Sequence, residues 1–387
     1  MTVITNIGDL KELSRRRVPR MFYDYAESGS WTEQTFRENS SDFSEIRLRQ
    51  RIAVDQSNRR TSGMMVGRQV AMPVALAPVG LLGMQSADGE IKASRAADRF
   101  GVPFTLSTMS VCSIEDVAEH GVPGFWFQLY VMRDWEFVEN AIGRAKAAAC
   151  GALVLTLDLQ ILGQRHKDIK NGLTAPPQPT LSNLIDLSTK LRWCLGMLGT
   201  RRRQFGNIVG HARGVTDTGS LMHWTSTQFD PKLDWEMVKR IKDMWGGPFI
   251  LKGILDVEDA QRAVDAGADA IIVSNHGGRQ LDGALSSIRM LPAIVRAVGD
   301  QTEVHIDSGI RSGQDVLKAL ALGAKGTHVG RAYVYGLGAM GEQGVETALE
   351  VIRKEIDTTM ALCGENSVND LGRHNLLLPR DFEDRWT

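Results

Sequence analysis

Between residues 73 and 331 the sequence alternates short apolar runs with longer amphipathic stretches, and this rhythm limits the available folds more than any other feature. The runs cover residues 73–79, 103–108, 124–130 and 152–158, then, after an interruption, 248–254, 270–275, 303–309 and 326–331. Rich in Val, Ile, Leu and Phe, they have the continuous apolar character of strands buried on both faces. The stretches between them carry apolar residues at helical spacing. In 134–151, for example, Phe137, Val138, Ala141, Ile142 and Ala145 share one face. Gly101, Gly121, Gly151, Gly267 and Gly323 stand where a left-handed residue would close such helices. Alternation of this kind makes a parallel sheet, and eight units predict an α/β fold closed into a (β/α)8 barrel. An open, doubly wound sheet is the other topology the pattern admits.

The chain reads as a single domain, 1–387, built on a barrel over 73–364. Residues 1–72, with Phe22, Tyr23 and Tyr25, are expected to cap one barrel mouth, and 365–387 to form a polar tail. The stretch 159–233 is too long for an ordinary connection and reads as a lid or docking element. With 45 Lys plus Arg against 46 Asp plus Glu, the net charge of −1 argues against nucleic acid as a partner. No run reaches the ~20 apolar residues of a spanning helix. Asp9, Lys11, Glu12 and Arg15 to Arg17 fall where an apolar signal core would lie, so a cytoplasmic protein is expected. Cys112, Cys150, Cys194 and Cys363 are scattered, which suits inert thiols, and the dispersed histidines predict no metal site.

Polar residues gather at the C-terminal ends of the apolar runs. Lys252 stands near the end of the fifth. Ser274-Asn275-His276-Gly277-Gly278-Arg279 ends the sixth, Asp307-Ser308-Gly309 the seventh and Gly330-Arg331 the eighth, while Ser107, Gln128, Tyr130, Thr156 and Asp158 end earlier ones. Barrel active sites are assembled at that end from several strands. The segment Asp307-Ser308-Gly309-Ile310-Arg311-Ser312-Gly313 runs into a helix. With Gly330-Arg331 it predicts a phosphate site made of close backbone, helix N–H groups and arginine. Gly336-Leu337-Gly338-Ala339-Met340-Gly341 matches a dinucleotide fingerprint, but too little chain follows for the unit such a site needs. These glycines read as helix-packing positions.

At Ser274-Asn275-His276-Gly277-Gly278-Arg279-Gln280-Leu281-Asp282 the sequence resembles the FMN-dependent L-2-hydroxyacid dehydrogenase and oxidase family, and the likeness runs from Tyr23-Asp24-Tyr25 past Arg331. The resemblance implies a TIM barrel holding FMN across its C-terminal mouth. It implies His276 as catalytic base with Asp307 as its carboxylate partner, and Arg165 and Arg279 as the groups that hold the substrate carboxylate. Tyr25 and Tyr130 match the family's active-site tyrosines, Asp158 its acid on the fourth strand, and Lys252 its lysine beside the flavin. Met109 and Leu162 fall at the substrate pocket. Cofactor contacts are implied for Ala77, Pro78, Val79, Ser107, Gln128, Thr156, Lys252 and Ser274, with Asp307, Ser308, Gly309, Arg311, Gly330 and Arg331 around the phosphate. Such residue types suit the chemistry. Removing a proton and two electrons from a 2-hydroxy acid needs a base of near-neutral pKa, oriented by a carboxylate, and a cation where negative charge develops.

Departures from the family pattern bear on substrate and acceptor. Asp307-Ser308-Gly309, where many members have Asp-Gly-Gly, resembles the respiratory lactate dehydrogenases, and Gly80 stands where several oxidases carry alanine. Met109 leaves room for lactate or a somewhat larger hydroxy acid. Oxidation of L-lactate to pyruvate with a quinone-type acceptor is therefore expected; an oxidase that passes electrons to O2 and makes H2O2 is the alternative. Within 181–213, Leu181, Leu184, Ile185, Leu191, Leu195 and Leu198 recur beside Trp193, Lys190, Arg192, Arg201, Arg202, Arg203 and Arg213, with no acid between Asp186 and Asp217. That pattern predicts peripheral contact with the inner face of the cell membrane. A lid packed on the barrel or on a neighbouring subunit is the other reading, and the resemblance implies a homotetramer.

Overall fold

A computed structural model of the chain describes residues 3–173, 180–212, 215 and 228–382. Its central sheet has eight parallel strands: β1 (Val74–Leu76), β2 (Thr105–Ser107), β3 (Trp126–Leu129), β4 (Ala152–Thr156), β5 (Phe249–Ile254), β6 (Ala270–Val273), β7 (Glu303–Ile306) and β8 (Gly326–Val329). Each pairs with the next in sequence, and β8 pairs with β1 through Thr327 opposite Val74. Closure between β1 and β2 rests on a bridge from Leu76 to Phe104 and on the Leu76 N–H donating to Pro103 O at 2.8 Å. The barrel is therefore the topology formed, not the open sheet.

Every expected run carries a strand, but except in β5, which is paired to Ile254, the hydrogen-bonded ladder stops short of the run's end. Ala77 to Val79, Tyr130, Asp158, Asn275, His276 and Asp307 lie beyond the last paired residue, where the backbone has left the sheet and side chains can turn over the mouth. Helix closure also differs in part. Gly101, Gly267 and Gly323 take positive φ, whereas Gly121 and Gly151 do not, and Ala149 supplies the left-handed residue before β4.

Residues 1–72 serve both ends of the barrel. Helices Arg20–Ala26 and Gln34–Glu45 pack at the C-terminal mouth and Ile7–Arg17 packs on the helix Arg331–Met340, while the hairpin Gly63–Met65 with Arg68–Val70 plugs the other end. Met65 and Val70 of the plug join Ala75, Trp126, Ala152, Val154, Ile250, Ala270 and Ile272 in a cluster that fills the barrel interior. The C-terminal segment is not a free polar tail. Leu376–Leu377 pair antiparallel with Arg47–Leu48, and Leu376 and Phe382 are buried.

The glycine-rich run 336–341 does pack helices. Gly336 of the helix Arg331–Met340 meets Gly344 of the helix Glu342–Leu362 backbone to backbone, so a Cβ on Gly336 would collide with the Gly344 carbonyl oxygen. Gly336→Ala is expected to destabilise the protein by about 2 kcal/mol, the usual scale of overpacking, read as a lower urea midpoint with an unchanged slope.

Candidate active site

The strand ends surround a cavity of about 760 Å3 at the C-terminal mouth. Of the predicted site residues, Tyr25, Ala77, Pro78, Val79, Ser107, Met109, Tyr130, Leu162, Arg165, Lys252, His276, Arg279, Asp307, Ser308, Gly309, Arg311, Gly330 and Arg331 line it. Gln128, Thr156, Asp158 and Ser274 do not reach its surface and lie behind the residues that do: Gln128 Oε1 accepts the Ser107 hydroxyl (3.0 Å) and Ser274 Oγ accepts Lys252 Nζ (2.8 Å).

His276 sits in an unusual backbone. Its φ is +59°, followed by +68° and +71° at Gly277 and Gly278, so three successive residues are left-handed. Glycine is needed at the last of them because a Cβ on Gly278 would lie 2.5 Å from the Phe36 backbone. The turn is held by the Ser30 N–H on Gly278 O (2.9 Å) and by a reciprocal pair of side-chain amide bonds between Asn39 and Asn275, 2.8 Å each. The N-terminal cap thus helps to fix the histidine.

The carboxylate partner of His276 is Asp158, not Asp307. His276 Nδ1 lies 2.9 Å from Asp158 Oδ1, and its Nε2 lies 3.5 Å from the Tyr130 hydroxyl. Asp307 is fully engaged elsewhere: Oδ2 pairs with Lys252 Nζ at 3.1 Å and Oδ1 accepts the Ser308 hydroxyl at 2.7 Å. Asp158 gains its approach at Gly253, whose φ of +99° and missing Cβ leave room that a side chain would take from it. Burial pushes the His276 pKa below its ordinary value, with Lys252 and Arg165 acting the same way and Asp158 opposing them. Burial opposes ionisation of Asp158, but His276 and Lys252 hold its carboxyl below the usual range. For Lys252 burial disfavours the cation, and Asp307 and Asp158 outweigh it, leaving the pKa raised.

Two guanidiniums face the same cavity without full compensation. Arg279 donates to the carbonyls of Tyr25 and Ser28, stacks 4.7 Å over the Tyr25 ring, and stands 3.7 Å from Asp168; its Nη2 is buried without a hydrogen-bond partner. Arg165 has its pKa lowered to about 10 by burial and then by Arg279. Burial pushes the Asp168 carboxyl up even beside these cations. Two crowded cations with a spare donor form a site for an anion, and a carboxylate matches a guanidinium best.

At the phosphate end the helix N-terminus at Gly313 is already occupied. Ser312 and Asp315 form a reciprocal cap, the N–H groups of Arg311 and Ser312 donate to Asp315, and that of Gly313 donates to Glu355 (2.7 Å). The uncapped terminus is that of Arg331–Met340, at Gly330. The Arg331 guanidinium is taken up by the carbonyls of Ala26 (2.7 Å), Gly277 (3.1 Å) and Ser28 (2.8 Å), and burial followed by Arg311 lowers its pKa to about 10. Its side chain ties the cap to the His276 turn, and Arg311, Gly309 and Gly330 line the same end of the cavity. Buried Gln128 Nε2 and Thr156 Oγ1, both without partners, fit a planar heterocycle with polar edges seated above them. The cavity volume, these orphaned groups, Lys252 and the uncapped helix together fit FMN.

Sequence reading did not find Ser28, Asn39, Asp168 or the Ser308 hydroxyl. Ser308, at φ +72°, donates to Asp307 and accepts the Gly277 N–H at 2.9 Å, linking two strand ends. The Asp-Ser-Gly departure marked that position; no local signal marked the others.

Comparison with known proteins places the chain in a family. A profile of the FMN-dependent dehydrogenase family matches residues 14–378, and the chain belongs to that family. It is a TIM-barrel flavoenzyme. Among its relatives are an L-lactate dehydrogenase of Caulobacter vibrioides (strain NA1000 / CB15N), 45% identical over 371 residues, with 95% of this chain and 96% of the relative covered. An L-lactate dehydrogenase of Haemophilus influenzae (strain PittEE) is 44% identical over 374 residues, covering 95% and 97%. Among solved structures, a monotopic membrane protein, (S)-mandelate dehydrogenase, superposes with a TM-score of 0.92 at 35% identity, covering 97% of this chain and 100% of the other.

Replacing Asp158 with Asn keeps a hydrogen-bond acceptor beside His276 but removes the charge that favours imidazolium. The His276 pKa then falls further, so the acid limb of kcat/KM is expected to move to lower pH, with kcat reduced about 100-fold.

Proposed function

We propose that the chain oxidises an L-2-hydroxy acid, L-lactate to pyruvate in the first instance, and passes the electrons to a quinone at a membrane surface. The observation that carries this reading is the uncompensated Arg165–Arg279 pair in the same cavity as the His276–Asp158 pair. In the proposed reaction the substrate carboxylate lies between Arg165 and Arg279, with Tyr25 and Tyr130 along its sides. Holding it there supplies several kcal/mol through orientation alone. His276, kept neutral by its surroundings, accepts a proton at Nε2, and Asp158 stabilises the resulting imidazolium. Lys252 offers fixed positive charge where negative charge develops. Bound FMN supplies the two-electron acceptor.

The likeness to two L-lactate dehydrogenases supports the substrate. Support for the acceptor comes from the insertion. Helices Leu181–Ser188 and Leu191–Gly199 expose Leu181, Leu184, Ile185, Leu191, Leu195 and Leu198, and the side chains of Arg192 and Arg201 lie exposed nearby. Trp193 does not join that surface as expected. It turns inward, stacking on Phe22 at 5.6 Å and donating to Met84 O at 2.8 Å, and Phe22 and Met84 both line the cavity. Lys190 and Arg202 are tied within the chain, to Asp186 and to Asp116 with Asp88. Arg213 lies outside the described residues. Among the described residues no helix is long and apolar enough to cross a membrane, so the proposed attachment is peripheral, through these leucines and arginines. Gly80 contributes too: a Cβ there would come within 3.0 Å of the Tyr25 hydroxyl.

Anaerobic L-lactate is expected to bleach the flavin, and a soluble quinone analogue to restore it at least about tenfold faster than air-saturated buffer does. Faster recovery in air with H2O2 formation would identify an oxidase instead. Vesicles rich in anionic lipid are expected to sediment the wild type. Leu184→Glu with Leu195→Glu is expected to weaken that binding about tenfold or more, since each replacement removes an exposed aliphatic side chain that the proposal seats in lipid. A change of oligomeric state without loss of vesicle binding would assign the leucines to a subunit interface.

A further inference from the structure

The barrel interior holds a line of titratable groups that the reaction described above does not use. Side chains on β7 alternate, so Glu303, His305 and Asp307 share the inward face, and His328 stands beside them on β8. His328 lines the catalytic cavity and is buried, and its Nδ1 has no hydrogen-bond partner among the described residues. Its Nε2 lies 3.1 Å from His305 Nδ1, and His305 Nε2 lies 3.0 Å from Glu303 Oε2. Glu303 ends the line at the plug: Oε2 also accepts the Val66 N–H at 2.9 Å, and its side chain is 32% exposed. The line thus joins the cavity floor to solvent at the opposite barrel mouth.

Bond directions along this line are consistent. Burial opposes ionisation of Glu303, yet His305, the Val66 N–H and Lys325 hold its carboxyl below the usual range, so it accepts and His305 donates from Nε2. Two ring nitrogens facing each other at 3.1 Å hold one hydrogen between them, so with its own hydrogen on Nε2 His305 accepts at Nδ1 from the Nε2–H of His328. Burial, His305 and Lys252 keep His328 neutral, leaving the lone pair on its Nδ1 free at the cavity end. The other neighbours are the Trp126 ring, 6.0 Å from that of His328, and Asp307 above, held by Lys252. Space for His305 comes from Gly326, where a Cβ would lie 3.1 Å from its ring.

We infer that His328, His305 and Glu303 form a proton path between the catalytic cavity and the far mouth of the barrel. The inference rests on the proposed quinone reading for its direction. Oxidation of CH–OH to C=O releases two electrons and two protons. While the electrons are held beside Lys252, whose charge favours an anion there, one proton is surplus; it is needed again when a quinone leaves as quinol. Outward transfer breaks the N–H that the reaction leaves on His276 Nε2, passes that proton through water in the cavity both residues line, forms N–H at His328 Nδ1 and breaks it at Nε2. It then forms N–H at His305 Nδ1, breaks it at Nε2, and forms O–H on Glu303, which gives its proton to water. Inward transfer reverses each step and restores both tautomers, so neither buried ring has to rotate.

Glu303→Gln keeps an acceptor for the Val66 N–H but cannot carry a proton. With a pH-indicator dye and anaerobic L-lactate, wild-type holoenzyme is expected to release a proton in step with flavin bleaching. In the variant, release is expected to lag bleaching about tenfold, and added formate or imidazole to restore it. Release in step with bleaching in the variant overturns the path. Nitrogen-15 NMR of histidines in resting wild-type holoenzyme tests the line without turnover or a variant: Nε2–H on both His305 and His328 is expected, and Nδ1–H on His328 overturns it. Failure of L-lactate to bleach the wild type counts against the substrate reading alone, and the NMR result then decides the path.

Discussion

Two largely buried carboxylates divide two basic side chains between them at the mouth of this barrel, and that division assigns the rest of the site. Asp307 neutralises Lys252, and Asp158 faces His276. A buried charge left unpaired is costly, so each pairing limits what its members can do next. With both acids committed, Arg165 and Arg279 share, among the described residues, only the more distant Asp168, and the cavity keeps a net attraction for anions. An incoming carboxylate completes the charge balance. His276 remains neutral because burial and the surrounding cations outweigh Asp158, and a neutral imidazole is the form that accepts a proton.

This arrangement depends on chain distant from the strands. The segment 25–39 contributes carbonyls at Tyr25, Ala26 and Ser28 to Arg279 and Arg331, and amide partners at Ser30 and Asn39 to the turn that carries His276. The planar guanidinium of Arg331 adds to this, joining the cap to Gly277 through three carbonyls. Left-handed backbone at His276 is disfavoured by itself and persists because these bonds over-determine it.

Much of this was legible in the sequence. Eight apolar runs with polar ends revealed both the barrel and the end of it that carries chemistry, because a parallel strand buried on both faces leaves a continuous signature. Residue types at His276, Arg279, Lys252 and Arg165 were equally plain. Their partners were not. Asp158 and Asp307 stand at similar depths on different strands, and nothing in chain spacing says which acid reaches the histidine; that depends on the gap at Gly253. The capped helix at Ser312 was misread for a similar reason, because Glu355, which takes the Gly313 N–H, is 42 residues away in sequence. Trp193 looked like a surface anchor because helical spacing does not show that Phe22 and Met84 wait beneath it.

The histidines inside the barrel pose a sharper question. Barrel interiors are ordinarily filled by branched aliphatic side chains, and Val154, Ile250 and Ile272 follow that habit here. A buried imidazole costs stability unless both nitrogens are satisfied. His305 meets that condition, with His328 on one side and Glu303 on the other, but His328 does not, and its free nitrogen belongs to a residue of the cavity wall. A purely structural network would close on itself. One that is satisfied at the solvent end and left open at the catalytic end is arranged for exchange with whatever occupies the cavity, and the proton is the cargo such a line of imidazoles and a carboxylate can move.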